Sequence, residues 1–215
     1  MGTILAIDPG NTQSGYVVVE HDGEEIRRVL KVGKKSNEDM FGVIVTPYDF
    51  YDHFAIEMVA GMGMPVGAEV FDTCFWIGRF WEYVESHGEP RPMQKIFRRE
   101  EKLYLCGRAS AKDVNIRQAL VDRYAPGQPN FGKGTKKDPG FFYGFSADMW
   151  AAMAVAVTYF DKYIKGVSYE QDAAKATKTA DAADVRCLRE NVYARTVQVQ
   201  GKIQFLQRGV RLDGT

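Results

Sequence analysis

Cysteine is scarce in this 215-residue chain: Cys74, Cys106 and Cys187 are odd in number, widely spaced and without a CxxC pair. Neither a disulfide framework nor a zinc site is therefore indicated. No apolar run approaches the roughly 20 residues needed to cross a bilayer. The opening residues also lack the charged-then-apolar order of a secretory signal. The expectation is a cytoplasmic chain with no membrane partner. An excess of one charge is lacking too, with 28 Lys and Arg against 28 Asp and Glu, but the balance is uneven along the chain. Residues 1–90 carry 6 basic against 15 acidic side chains, residues 91–137 carry 12 against 4, and residues 138–215 carry 10 against 9. The middle segment, at +8, suits lysines holding a polyanion beside carboxylates holding metal, although such charges also solvate helix faces.

What is present is organised around residues 3–20, TILAIDPGNTQSGYVVVE. An apolar run (Ile4 to Ile7) meets Asp8, a Pro-Gly-Asn turn follows, and a β-branched run (Tyr16 to Val19) leads away. This reads as a hairpin whose first strand is buried on both faces. A buried strand keeps an ionised Asp only when it is paired, and a divalent cation is one such partner. The alternative is an Asp that caps its own turn. Phe54 to Val59 repeats the pattern with Glu57 in its middle. If the two strands are neighbours, Asp8 and Glu57 can share a metal; otherwise Glu57 is an edge residue facing solvent.

Between these strands, residues 25–34 form a third strand after a His21-Asp22-Gly23 turn, residues 37–42 read as a loop, and a helix or irregular stretch leads through Tyr48 and Tyr51. The Gly- and Met-rich residues 60–67 form a loop at the rim of any site beside Glu57, with Met62 and Met64 available to press on bases or simply turning the chain. Residues 68–86 predict a helix whose apolar face (Val70, Phe71, Cys74, Phe75, Phe80, Trp81, Val84) is core or a dimer interface. A short strand at 94–97 precedes the polar Arg98-Arg99-Glu100-Glu101-Lys102. Ser110 is the expected N-cap of a helix running to about Tyr124, with Asp113 completing a capping-box variant. Arg108 and Lys112 at its start are candidate phosphate contacts, or ordinary solvated cations. Lys133, Lys136 and Lys137 lie in a Gly/Pro-rich loop expected to order on a polyanion. Residues 146–165 form a closing, Ala-rich helix with Asp148 in its first turn, where the helix dipole favours an acid anyway and where packing on the sheet would add a third carboxylate. Residues 166–215 differ in composition and read as an appendage, helical or partly disordered.

The order ILAIDPGNTQSGY, FAIEMV, GRASAKDVNIRQAL, SADMWAAMAVAV, spanning residues 3 to 160, resembles the RuvC family of Holliday junction resolvases, above all its phage-type members. The resemblance implies an α/β chain of RNase H-like fold: a mixed central sheet flanked by helices over residues 3–165, with the C-terminal appendage uncovered. It implies Asp8, Glu57 and Asp148 as catalytic metal ligands for Mg²⁺ or Mn²⁺, and Lys112 on the DNA side. Three residues after Asp148 the family places another acid, where this chain has Ala151. Either three carboxylates suffice, or another acid such as Asp138 swings in, or activity is reduced. The implied chemistry is two-metal phosphodiester hydrolysis leaving a 5′ phosphate. The implied partners are branched DNA, a four-way junction first of all, and a second copy of the chain, since two symmetric nicks are made. Two other readings stand beside this one. One is a non-catalytic branched-DNA-binding protein on the same fold; the other is an actin-like phosphotransferase, which shares the strand-turn-strand opening but needs a second Asp-Gly-Gly-type turn that the chain lacks.

Overall fold

The computed structural model describes residues 1–45, 51–61, 65–87 and 90–167. The N-terminal hairpin is formed by β1 (Gly2–Asp8) and β2 (Gln13–His21), antiparallel, and continues into β3 (Ile26–Ser36). β4 (His53–Met58) pairs parallel to β1, and β5 (Met93–Phe97) parallel to β4. The five-stranded order is β3-β2-β1-β4-β5, so β1 lies at the centre. Ile4, Leu5, Ala6 and Ile7 have no exposed surface, as expected of a strand covered on both faces.

Alternation along β1 sends Ile4 and Ala6 to one face, with Val17, Val19 and Ala55, and Leu5 and Ile7 to the other, with Val18, Phe54 and Ile56. On the second face lie α1 (Asn37–Ile44) and α2 (Ala68–Ser86). On the first lie α3 (Arg98–Cys106), α4 (Asp113–Tyr124) and α5 (Ala147–Tyr159). The run Ala152 to Val157 on α5 is buried on every side. Its small side chains let the helix approach the sheet closely. A π-turn (Phe160–Ile164) ends it, and Asp161 there accepts two hydrogen bonds from Arg123 of α4, at 2.6 and 2.8 Å. This is the mixed sheet with flanking helices expected of an RNase H-like fold.

Several local expectations are corrected. Residues 37–42 are helical rather than a loop, because Ser36 caps α1 by accepting from the Asp39 N–H at 3.1 Å, with Glu38 and Asp39 in the first turn. On α2 the buried residues are Thr73, Ile77, Phe80 and Val84, whereas Phe71 and Phe75 are 63% and 61% exposed. Ser110 does not cap α4. Gly107 ends α3 in a left-handed conformation, a turn follows, and α4 starts only at Asp113, where Asn115 accepts from the Lys112 N–H at 2.9 Å. The 126–144 loop carries a 3₁₀ turn at Asn130–Gly132 and a bridge from Gly134 to Pro139. Cys74 and Cys106 are free thiols. Tyr48, Met62, Met64, Cys187 and nearly all of the expected appendage lie outside the described residues.

Candidate functional site

One row of residues crosses the sheet at the end of β1. Asp8 is the last residue of that strand and continues the Ile4–Ala6 face. Across the hairpin it pairs with Gly15, which pairs in turn with Lys34 of β3. On the other side, one step beyond the Ile7–Ile56 pair, stands Glu57, itself opposite Ile96 of β5. The expected neighbourhood of the two acid-bearing strands is therefore present. The Asp8 and Glu57 carboxyls are neighbours on one face of the sheet, and burial together with the Glu57 charge disfavours ionisation of Asp8.

The turn after Asp8 is held from outside the hairpin. Ser14 and Asn37 are buried; the Ser14 hydroxyl donates to Asn37 Oδ1 at 2.7 Å, and the Asn37 amide donates to the Gly10 carbonyl at 3.0 Å. The Asn37 backbone N–H donates to Thr12 at 3.0 Å. Residues 8–13, Gly15, Lys34 and Asp148 line a cleft of about 220 Å³. Gly15 is required there by close approach: a Cβ on it would sit 2.7 Å from the Asp148 carbonyl oxygen and 2.9 Å from its carbon. Backbone cannot give way as a side-chain tip does. Gly15→Ala is expected to cost about 1–3 kcal/mol through overpacking and to push the start of α5 out of the cleft. Urea unfolding beside a structure of the variant reads this, and an unchanged stability with Asp148 in place would refute it.

Asp148 faces Lys34 at 2.5 Å, both more than a third exposed, an ion pair worth about 0.2–1 kcal/mol at most. Asp148 is thus near Asp8 but turned towards β3, and easily released. On the Glu57 side the sheet is covered by α3. Its first residue, Arg98, places Nη1 2.5 Å from Glu101 Oε2 and 3.7 Å from Glu57 Oε2, and Nη2 2.7 Å from Asp113 Oδ1. Glu101 is 0% exposed. Burial, then the Glu57 charge, push Asp8 up to about 8; burial also raises Glu57, against the pull of Arg98. Glu101 is raised well above the usual carboxylate range by burial and by Glu57.

Among the described residues, no three His, Cys, Asp or Glu side chains stand close enough to hold an ion as placed. Lys34 and Arg98 supply the positive charge and draw the outer acids apart. The donor set nonetheless fits a hard divalent cation: carboxylate oxygens only, Asp8 and Glu57 on adjacent strands, and a buried Glu101 oxygen with no hydrogen-bond partner among the described residues.

The expected basic contacts are placed as follows. Arg108 and Lys112 are exposed in the turn before α4, and Arg98 ties Asp113, the next residue, to the start of α3. Lys136 and Lys137 are exposed at the tip of the bridged loop, and Lys133 is half-buried at its base. Asp138 is exposed in that same turn, its carbonyl accepting from the Thr135 N–H at 2.8 Å. Ala151 lies one helical turn after Asp148 and offers no donor atom. Lys34, Arg98 and Glu101 were not singled out by sequence. The signal for Glu101 is its spacing: three residues after Arg98 and four before the buried Leu105, on one helix face.

Two solved structures share this architecture. Thermus thermophilus RuvC superposes with a TM-score of 0.55 at 18% identity, covering 76% of this chain and 96% of that one. The fold is RuvC-like. T. thermophilus RuvC in complex with a Holliday junction substrate matches with a TM-score of 0.54 at 16% identity, covering 77% of this chain and 97% of that one. No family model and no curated protein sequence matches the chain. At these identities the likeness speaks for the RuvC-like fold, and the chemistry has to be argued from the residues.

Proposed function

We propose that this chain is a metal-dependent, structure-selective DNA endonuclease that nicks four-way junctions or related branched DNA, working as a homodimer. The observation that carries the reading is the Asp8–Glu57 pair, two carboxylates at the ends of adjacent parallel strands on one face of the sheet. Structure in an apolar sheet has no use for such a pair, since each buried carboxylate costs stability. Asp8, Glu57 and Asp148 are the proposed ligands of Mg²⁺ or Mn²⁺. Bound there, divalent cations supply Lewis-acid activation of water and stabilisation of the leaving 3′ oxygen.

The chain's own residues do the positioning. The Ser14–Asn37 bonds fix the turn so that Asp8 is held rigidly, and Gly15 admits Asp148 to the same cleft. Arg108, Lys112, Lys133, Lys136 and Lys137 are the proposed backbone contacts. Replacing Lys133, Lys136 and Lys137 by Gln is expected to reduce the slope of log K against log salt by up to about 3, roughly 0.9 per phosphate contact. An unchanged slope in a fluorescence titration would remove these lysines from the DNA surface. The exposed Phe71 and Phe75 on α2 suit a second copy of the chain.

The test is cleavage of a labelled four-way junction with Mg²⁺ or Mn²⁺, beside a linear duplex of the same sequence. Paired nicks on opposing strands of the junction alone support both the activity and the dimer. Lys34 and Arg98, which neutralise the outer acids, favour a second reading, a branched-DNA-binding protein without chemistry. Junction binding without metal-dependent cleavage would establish that one instead.

A further inference from the structure

Glu101 is only half satisfied by the fold. Its Oε2 accepts from Arg98 at 2.5 Å, but its Oε1 has no hydrogen-bond partner among the described residues, although the side chain has no exposed surface. A buried pair kept for structure satisfies both oxygens, because an unmade hydrogen bond in the interior is costly. This one leaves an acceptor open beside other acids. The Arg98 nitrogen that binds Glu101 is also the one 3.7 Å from Glu57, and Asp8 stands beside Glu57 on the neighbouring strand. Glu101 and Glu57 therefore share one cationic group, with Asp8 next in the row.

We propose that Glu101 is a further cation-binding carboxylate of this site, supplied from α3 where α5 offers only Ala151, and that Arg98 holds its place in the absence of the ion. The proposal rests on the reading of Asp8 and Glu57 as metal ligands. α3 is suited to present such a group. It starts directly from β5, its first turn is closed by the Phe97 N–H donating to Glu100 at 2.9 Å, and Leu105 and Cys106 anchor its far end in the core. Arg98 can let go of Glu101 and Glu57 without being stranded, because Asp113, 79% exposed, already binds its other nitrogen at 2.7 Å.

The experiment is a titration of the DNA-free protein with Mn²⁺, read by the EPR signal of the free ion, on the natural chain, Glu101→Gln and Asp8→Asn. Gln keeps the size of the side chain and can still accept from Arg98. Glu101→Gln is expected to weaken Mn²⁺ binding at least tenfold while four-way junction binding in EDTA stays within twofold. If Glu101→Gln takes up Mn²⁺ like the natural chain and Asp8→Asn does not, this inference falls and the Asp8–Glu57 reading stands. If the natural chain itself binds no more Mn²⁺ than Asp8→Asn, both fall. Should Glu101→Gln fail to fold, Ala151→Asp decides: with Glu101 already serving, the added acid leaves Mn²⁺ affinity within threefold, and a tenfold gain overturns the proposal.

Discussion

Asp8→Asn is expected to abolish junction cleavage, by about a thousandfold or more, and to leave the protein at least as stable as the natural chain. The first half follows from losing a proposed ligand whose electrostatic contribution is several kcal/mol, at roughly 1.4 kcal/mol per tenfold in rate. The second half follows from burial. Asn nearly matches Asp in size and can donate to Glu57, so the packing survives and a buried ionisable group is gone. The pH dependence gives the sharper test. Burial, reinforced by Glu57, raises Asp8 from its ordinary 3.8 to about 8. Between those values the folded chain holds a proton that the unfolded chain has released, so this group makes stability fall as pH rises from about 4 through about 8. His21 and His53, lowered by burial, act in the opposite sense, costing stability as pH falls below about 6.5. The difference between natural and variant unfolding free energies cancels the histidines and leaves the Asp8–Glu57 pair. It should shift steadily in favour of Asp8→Asn across that window. A flat difference would mean that Asp8 is ionised throughout and needs another account. The same proton must leave when a cation binds, so Mn²⁺ affinity should rise with pH over the same range.

How much of this was legible in the sequence depends on where the information lies. Asp8 and Glu57 stand out because one acid in an apolar β run is anomalous within a few residues, and parallel pairing of β1 and β4 brings them together. Asp148 was visible as the acid of a helix start. Lys34 was not, because its place opposite Gly15 depends on the register of a hairpin with irregularities between Val18 and Val19 and between Glu20 and His21. Arg98 and Glu101 sit in RREEK, which has the composition of a solvated face; what buries Glu101 is α3 folding back onto a sheet face that α4 and α5 also cover. Likewise Phe71 and Phe75 look like core by hydrophobicity, but the face of α2 that meets the sheet carries Thr73 and Ile77. Local pattern reports the strand acids; long-range packing decides the rest.

Arg98→Ala should be the most destabilising substitution in the site, by about 3–5 kcal/mol in the absence of divalent ions, the cost of leaving a buried charge unpaired. Arg98 is the only hydrogen-bonding partner found for the Glu101 carboxylate among the described residues, so its removal strands a group with no exposed surface. Protonation is the carboxylate's one escape, and burial already raises Glu101 in that direction. The loss should accordingly grow with pH. Arg98→Lys keeps the charge but not the fork that reaches Glu101, Glu57 and Asp113 together, and should fall between the two. Urea unfolding at two pH values measures all of this. Glu101→Leu in the Arg98→Ala background distinguishes an unpaired charge from simple loss of packing: it should recover most of the stability, whereas lost packing would leave the double variant as weak as the single. Mn²⁺ supplies the positive charge by another route. Added to Arg98→Ala it should restore more stability than it adds to the natural chain, since the guanidinium no longer competes for Glu57 and Glu101. Equal stabilisation of both would mean that Arg98 and the ion do not share those carboxylates, and Arg98 would then be a structural partner of Glu101 alone.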